Sequence, residues 1–460
     1  MLRNMLNQPK SRPLSRRRFL SRSALAAGAF AAPMIVPARV LGRSPRRSQQ
    51  DATAVAKPAA PNDRITLGFI GMGMMNRDHL NRFLNDDSVQ VLAVCDVDTT
   101  RRESAHKMAV DRYSERIPQG AGSVAPDVTE YIDYHEMLAR DDIDAIVIAT
   151  PDHWHAIQII DCCNAGKDIY CEKPLTLTIH EAKTVIDCVR KHNRVLQTGS
   201  QQRTEFGGKF RTACEYIRSG RIGRVISANV GVASSSKWCD LGEEAMEPGL
   251  DWERWLGPAP MRPYHSDLSP RGVHTHYPVW RAFREYSGGY LTDMGAHHFD
   301  IVQWALDMDS SGPIEVQPPH DSKDDRHARV IYANGVEVMH GGPNGSTILG
   351  TNGGIAVDRD RLQSFPASIL EKPLEDSDVH LPTAKDHHAN WIDCIHSREK
   401  PICDVEVGAR SITVCHLINQ AYWHGRALKW DPQAWRFVGD DEANTWLDCK
   451  RREGYQLPKL

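Results

Sequence analysis

From residue 64 onward, continuous apolar runs alternate with stretches whose apolar positions recur every three or four residues. The runs at 65–70, 89–95 and 143–149 are rich in Val and Ile, and predict strands buried on both faces. Between them, 78–84 and 99–113 show helical spacing. The alternation continues as a helix at 156–165, a strand at 167–171, a helix at 180–192 and a strand at 195–198. Strand and helix in strict alternation predict a parallel sheet with helices on both faces.

After about residue 200 the texture changes. Long polar connections rich in Pro and Gly separate strand-like runs at 225–232, 328–332, 336–340 and 354–357. This predicts a second α+β domain with a largely antiparallel open sheet. Helical stretches at 390–395 and 411–422 are expected to pack against that sheet. The expected boundaries are a leader at 1–43, a linker at 44–63 rich in Arg, Ser, Ala and Pro, a first domain at 64–198 and a second at 199–460. Two domains also suit a chain of 460 residues.

Charge changes this picture at one end only. Residues 1–50 hold eleven Lys and Arg and no Asp or Glu; removing them from the net −3 leaves about −14 on residues 51–460. An acidic body argues against nucleic-acid binding. The basic end reads as an address instead. Ser15-Arg16-Arg17-Arg18-Phe19-Leu20 precedes an alanine-rich apolar run at 24–32, then Pro33 and Pro37, a pattern that resembles a twin-arginine export signal. Ala29-Phe30-Ala31 fits an A-x-A cleavage site. The run is too short for a permanent membrane span, so the expectation is an exported, periplasmic protein handled by the twin-arginine machinery. The eleven cysteines are odd in number and lack any CxxC spacing, and so read as packing residues.

The candidate chemistry begins at Gly71-Met72-Gly73-Met74-Met75-Asn76, directly after the first strand. One glycine serves a tight turn and the next lets the backbone approach a pyrophosphate at a helix N-terminus. Asn76 stands where a third small residue is usual. Asp96 ends the next strand, 23 residues after Gly73, where a carboxylate would accept from the ribose hydroxyls of NAD and repel the 2′-phosphate of NADP. Together these predict a Rossmann domain binding NAD in preference to NADP. Thr150 and Pro151, with His155 just beyond, follow a later strand, and Glu172-Lys173-Pro174 follows another. Both belong at the strand ends, where ligands of open α/β sheets bind. A lysine in such a cleft can exchange protons with a substrate hydroxyl.

Further along, Asp293, His297, Asp300 and Trp304 fall at i, i+4, i+7 and i+11 and so share a helix face. His297 suits a general base, with Asp293 orienting its imidazole. Gly288, Gly289 and Gly295 would admit a cofactor or a sharp turn. Trp280 and Arg281, in the preceding loop, suit either contacts with sugar hydroxyls or packing at the domain interface. The clusters His274-Thr275-His276, His387-His388 and His153/His155 lack the spacing of a metal site, and no metal is expected.

These motifs, in this order over 65–457, resemble the Gfo/Idh/MocA oxidoreductases, which include inositol dehydrogenases and glucose–fructose oxidoreductase. The match rests on Gly71/Gly73, Ala149-Thr150-Pro151, Glu172-Lys173-Pro174 and the segment from Gly289 to Asp300. Trp255-Leu256-Gly257-Pro258-Ala259-Pro260 and Gly439-Asp440-Asp441-Glu442-Ala443-Asn444 look like its exported branch. The resemblance implies catalysis by Lys173, Asp293 and His297. It implies cofactor contacts from Gly71, Gly73, Met74, Met75, Asp96, Thr150, Pro151, His155, Glu172 and Lys173. Substrate contacts are expected from Lys173, Trp280, Arg281, His297 and His298, and homo-oligomers through the open sheet. The implied activity is hydride transfer between NAD(P) and a hydroxyl carbon of a sugar or polyol. Export would leave little free cofactor, so NAD is expected to be tightly held. That favours redox-neutral turnover and opens a second reading, an NAD-dependent glycosidase; a non-catalytic sugar-binding protein is a third.

Overall fold

The computed structural model describes residues 63–116 and 127–460. The expected leader, and the expected linker up to residue 62, lie outside the described residues. Arg64–Leu460 forms one compact unit built on two sheets.

The first sheet is parallel throughout. Its strands are β1 (Ile65–Ile70), β2 (Val89–Cys95), β3 (Thr129–Tyr131), β4 (Ala145–Ile148), β5 (Asp168–Cys171) and β6 (Leu196–Thr198), in the order β3-β2-β1-β4-β5-β6. This is the dinucleotide-fold order, with the switch point between the adjacent strands β1 and β4, where the strand order reverses. Helices α1 (Met74–Phe83), α2 (Thr99–Glu115), α3 (Tyr134–Leu138), α4 (Asp152–Asn164) and α5 (Ile179–Lys191) connect the strands. The register aligns the carboxyl ends. Ile70 stands opposite Cys95 on one side and Ile148 on the other, and Ile148 opposite Cys171. Asp96, Gly71, Ala149 and Glu172 therefore emerge in a row along one edge. That row is the floor of the site.

The second sheet holds β7 (Val225–Gly231), β8 (Glu315–Gln317), β9 (Arg329–Ile331), β10 (Glu337–Gly350), β11 (Gly353–Val357), β12 (Leu362–Phe365), β13 (Leu428–Asp431) and β14 (Arg436–Phe437). It is largely antiparallel, as expected, with more strands than the apolar pattern reveals. β7 pairs with both halves of the long β10, through Glu337–His340 and again through Ser346–Leu349. Between those halves Gly341, Gly342 and Gly345 have φ of 143°, 92° and 103°, a conformation that turns the strand on itself.

The helices of this half are α6 (Lys209–Arg218), α7 (Trp252–Leu256), α8 (Tyr290–Ala305), α9 (Ser368–Glu371), α10 (His387–Ser397), α11 (Val405–His424) and α12 (Asp441–Asn444). α8 is buried along almost its whole length against α11 and the second sheet. Gly295 permits the close approach, since a Cβ there would lie 2.9 Å from Cys415 Sγ. Gly288 and Gly289 likewise face protein atoms. Of the two uses expected of these glycines, a cofactor approach or a sharp turn, Gly289 makes the turn, with φ +94° at the start of α8, and all three allow close packing; none of them lines the cavity described below. α10 corrects a second expectation. Its Trp391 packs on Phe83 and Tyr170 at 5.9 and 5.6 Å, within the core of the parallel sheet and not against the second one. The chain returns there because Thr198 N–H donates to Cys403 O at 2.8 Å, extending the edge at β6. All eleven cysteines are free, and all but Cys239 and Cys449 are buried. Among the described residues, no helix is long and apolar enough to cross a membrane.

Candidate active site

A cavity of 1140 Å³ opens along the row of strand ends and reaches across to α8. It exceeds the few hundred to 1,000 Å³ common for small-ligand sites, as a dinucleotide plus a second reactant would require.

At one end the wall is main chain. Gly71 has φ +81°, and a Cβ on it would lie 2.8 Å from Thr150 Cγ2 and 3.1 Å from Thr150 N, so only glycine fits. Gly73 is different. Its φ is −69° and nothing among the described residues lies within 4 Å of its Cβ position, so its missing side chain leaves open space beside the turn. It caps α1, whose first turn carries neither a capping side chain nor an acid. The first amides of α1 are thus available to an anion. Asn76 explains the missing third small residue: it is buried, and its Nδ2 donates to the carbonyls of Ile70 (3.0 Å) and Gly71 (2.9 Å), tying the turn from behind. Asp96 lines the cavity. Its Oδ2 accepts from Met72 N–H at 2.5 Å and its Oδ1 from Asp98 N–H at 2.8 Å, while burial raises its pKa against the charge of Arg101. These features fit a dinucleotide.

At the other end the wall is side chain. Lys173 Nζ lies 2.7 Å from Asp293 Oδ1 and 3.0 Å from Asp293 O, joining the β5 end to the first turn of α8. Arg281 Nε stands 3.5 Å from the same carboxylate oxygen. Burial pushes Asp293 up, but Lys173 and Arg281 outweigh it and hold the carboxyl below its usual range. His297 lies one turn further along α8 and is 2% exposed. Burial, then the charges of Lys173 and Arg359, hold its pKa well below the usual value, so the imidazole is neutral. Its Nδ1 has no hydrogen-bond partner among the described residues. Asp293 therefore does not orient His297, as the spacing suggested; the two cations capture its carboxylate first.

Of the remaining expected residues, Met74, Met75, Thr150, Pro151, Glu172 and Trp280 line the cavity. Glu172 is buried, yet His79 at 2.9 Å and Gln201 at 2.7 Å help hold it ionised against the cost of burial. Behind it, His79 Nδ1 meets His388 Nε2 at 2.9 Å. His155 lies behind the wall, its ring nitrogens at 2.8 Å from Pro174 O and 2.9 Å from Thr150 O. It braces the two strand-end turns against each other. His298 also lies off the cavity, 3.3 Å from Ser346 Oγ beneath the second sheet, with its pKa pushed down to about 4 by burial. Asp300 is bound by Arg203 at 2.8 and 2.9 Å and acts in the core.

Two cavity residues carry no sequence signal of their own. Asp152, at the start of α4, is 2% exposed and accepts from Ser287 Oγ at 2.6 Å; burial pushes its carboxyl up to about 7. Arg359, from the loop after β11, faces the cavity over the ring of Phe206 at 4.9 Å.

The family follows from comparison with known proteins. A model of the NAD-binding Rossmann fold of this oxidoreductase family matches residues 65–200, and a model of its C-terminal alpha/beta domain matches 216–457. The chain belongs to the Gfo/Idh/MocA oxidoreductase family. Within reach of this family member among curated proteins is the alpha-N-acetylgalactosaminidase of Shewanella oneidensis, 27% identical over 231 residues. That alignment covers 49% of this chain and 47% of the relative. A glycosyl hydrolase family 109 protein of Shewanella sp. (strain W3-18-1) is 28% identical over 233 residues, with the same coverage. The alignments span about half the length of these relatives. Among solved structures, the WlbA dehydrogenase from Bordetella pertussis, in complex with NADH and UDP-GlcNAcA, is 18% identical with a TM-score of 0.55. It covers 80% of this chain and 98% of its own. Levoglucosan dehydrogenase in complex with NADH is 19% identical with a TM-score of 0.53, covering 80% and 99%. At these identities the likeness shows the Gfo/Idh/MocA fold.

Proposed function

We propose that this protein binds NAD along the strand ends and moves a hydride between it and a hydroxyl-bearing carbon of a sugar or glycoside. The observation that carries this reading is the shared cavity: the Lys173–Asp293 pair and neutral His297 line the space that the Gly71–Gly73 turn also lines. Bound NAD would supply the hydride acceptor. The turn amides and Gly73 would hold its pyrophosphate, and Asp96 its ribose. NAD is favoured over NADP because Asp96 repels a 2′-phosphate while the adjacent Arg101 is already bonded to Ser269, Pro270 and Gly272.

The protein's own residues then do three things. Lys173, steered by Asp293, donates a hydrogen bond to the reacting oxygen and stabilises the negative charge that grows on it. His297 takes up the hydroxyl proton and returns it in reverse. Trp280 and Arg281 close the side of the cavity, with the guanidinium 4.3 Å over the indole.

The names of the curated relatives favour a second reading on the same site, redox-neutral cleavage of a glycoside. There a transient oxidation acidifies the neighbouring C–H, the aglycone leaves by elimination, water adds, and the hydride returns. Asp152, whose carboxyl holds or releases a proton near neutral pH, suits the extra proton transfer. The arginine-rich leader supports export, and with it an NAD that travels inside the folded protein.

One experiment tests both readings. The purified protein is denatured to release any dinucleotide, and the native form is assayed with free sugars and nitrophenyl glycosides. NADH formation supports net oxidation; aglycone release without net NADH supports the glycosidase. Absence of bound or bindable NAD overturns both.

A further inference from the structure

Six Lys and Arg side chains line the cavity: Arg82, Arg101, Lys173, Arg254, Arg281 and Arg359. Five are already engaged. Arg82 pairs with Asp386 at 2.6 Å, and Arg254 with Asp133 and Asp251 at 3.6 and 3.7 Å. Lys173 and Arg281 share Asp293. Arg101 is bonded to Ser269 Oγ and to the carbonyls of Pro270 and Gly272.

Arg359 is the exception. Among the described residues its guanidinium has no ion-pair or hydrogen-bond partner, and its Nε is fully buried without an acceptor. The adjacent carboxylate offers none: Asp358 is taken by Arg361 at 2.7 Å and by the amides of Asp360 and Arg361 at 2.9 Å. The ring of Phe206 supports one face of the guanidinium, which leaves its edge donors for something else. A half-buried cation without a partner costs folding free energy, and a ligand anion would recover it. An arginine's fork matches a carboxylate, phosphate or sulfate in two parallel hydrogen bonds. Arg359 lines the same cavity as Lys173, Asp293 and His297, and its charge helps keep the His297 ring neutral.

We propose that the substrate carries an anionic group, a carboxylate, phosphate or sulfate on the sugar, and that Arg359 receives it beside His297. This rests on the hydride-transfer reading above. The phosphates of NAD are the other possible source of such an anion, and the test separates the two.

NAD-loaded protein is titrated with sodium sulfate at constant ionic strength and followed by calorimetry. Saturable binding is expected, about tenfold or more weaker in Arg359→Gln and partly retained in Arg359→Lys. Glucuronate is then compared with glucose, and N-acetylglucosamine 6-sulfate with N-acetylglucosamine. The charged member of each pair is expected to bind about tenfold tighter, and Arg359→Gln to erase the difference. NAD affinity in Arg359→Gln within about threefold of the parent shows an intact fold and assigns the anion to the substrate. A comparable loss of NAD affinity overturns the proposal, as does equal binding of neutral and charged sugars. Turnover of neutral sugars with no preference for charge removes the anion but leaves hydride transfer standing. Sulfate bound through Arg359 with no turnover at all does the reverse.

Discussion

At one end of the cavity the groups on offer are main-chain amides around Gly71 and Gly73; at the other they are the side chains of Lys173, Asp293, Arg281, His297 and Arg359. The first end is made by the path of the backbone out of β1, so its conformation is its function. The second is assembled from the end of β5, the loop before α8, α8 itself and the loop after β11, and depends on charge. The two ends should therefore fail differently: one by losing affinity, the other by losing chemistry.

The largest effect is expected where the charged end is cut. Lys173→Met removes the donor proposed for the reacting oxygen and leaves Asp293 with Arg281 alone. Turnover should fall about 10³-fold, the order seen when a donor to a developing oxyanion is lost. NAD affinity, read by fluorescence titration, should change little. A variant that turns over normally would mean that the two ends are not divided in this way.

Asp152→Asn sharpens the same point through stability. The folded protein holds this proton more tightly than the unfolded chain does, because burial lifts the carboxyl from an ordinary 3.8 to about 7. Its contribution to stability is thus full below about pH 4 and is lost as pH rises toward 7, a loss of up to about 4 kcal/mol. Asparagine can still accept from Ser287 but has no proton to lose. The melting temperature of the variant should match the parent near pH 4 and exceed it above pH 7. An equal offset at both values would show that Asp152 is not a strained acid.

The same division explains what could be read in advance. Strands buried on both faces leave an unbroken apolar run, so the parallel sheet and its strand-end turns were legible. Asn76 was not, because it replaces a small residue by hydrogen-bonding backwards, which no spacing reveals. In the second half, β8, β12, β13 and β14 are two to four residues long, and β10 doubles back at glycines whose φ values cannot be read from their identity. The pattern of α10 announces a buried face but not which sheet will cover it. Lys173, Asp293 and His297 sit in recognisable strings. Arg359 stands out only by the partners it lacks among the described residues, and that is a property of space.

At the main-chain end, Gly73→Ala separates function from fold. With φ at −69° and no atom of the described residues within 4 Å of the new Cβ, alanine should leave the melting temperature unchanged. It would fill the open space beside the turn, and NAD affinity should fall about 10- to 100-fold. Gly71→Ala is the contrast. Its φ of +81° and the contact with Thr150 should lower stability as well, by about 1–2 kcal/mol or more. If Gly73→Ala binds NAD as the parent does, the pyrophosphate does not lie where the turn suggests.

The smallest effect is expected at Asp96, the carboxylate proposed above to set the preference between NAD and NADP. Asp96→Asn keeps an acceptor for Met72 N–H but removes the negative charge and the second acceptor, which serves Asp98 N–H. The ratio of NADP to NAD dissociation constants should move about tenfold toward NADP, equivalent to roughly 1.4 kcal/mol of relieved repulsion. It should not reverse, because welcoming a 2′-phosphate needs a free cation, and Arg101 is bonded to Ser269, Pro270 and Gly272. A parent protein that already binds both dinucleotides equally would show that the carboxylate serves only to brace the glycine turn through Met72. Discrimination would then have to come from the charged end, and the division of labour between the two would be lost.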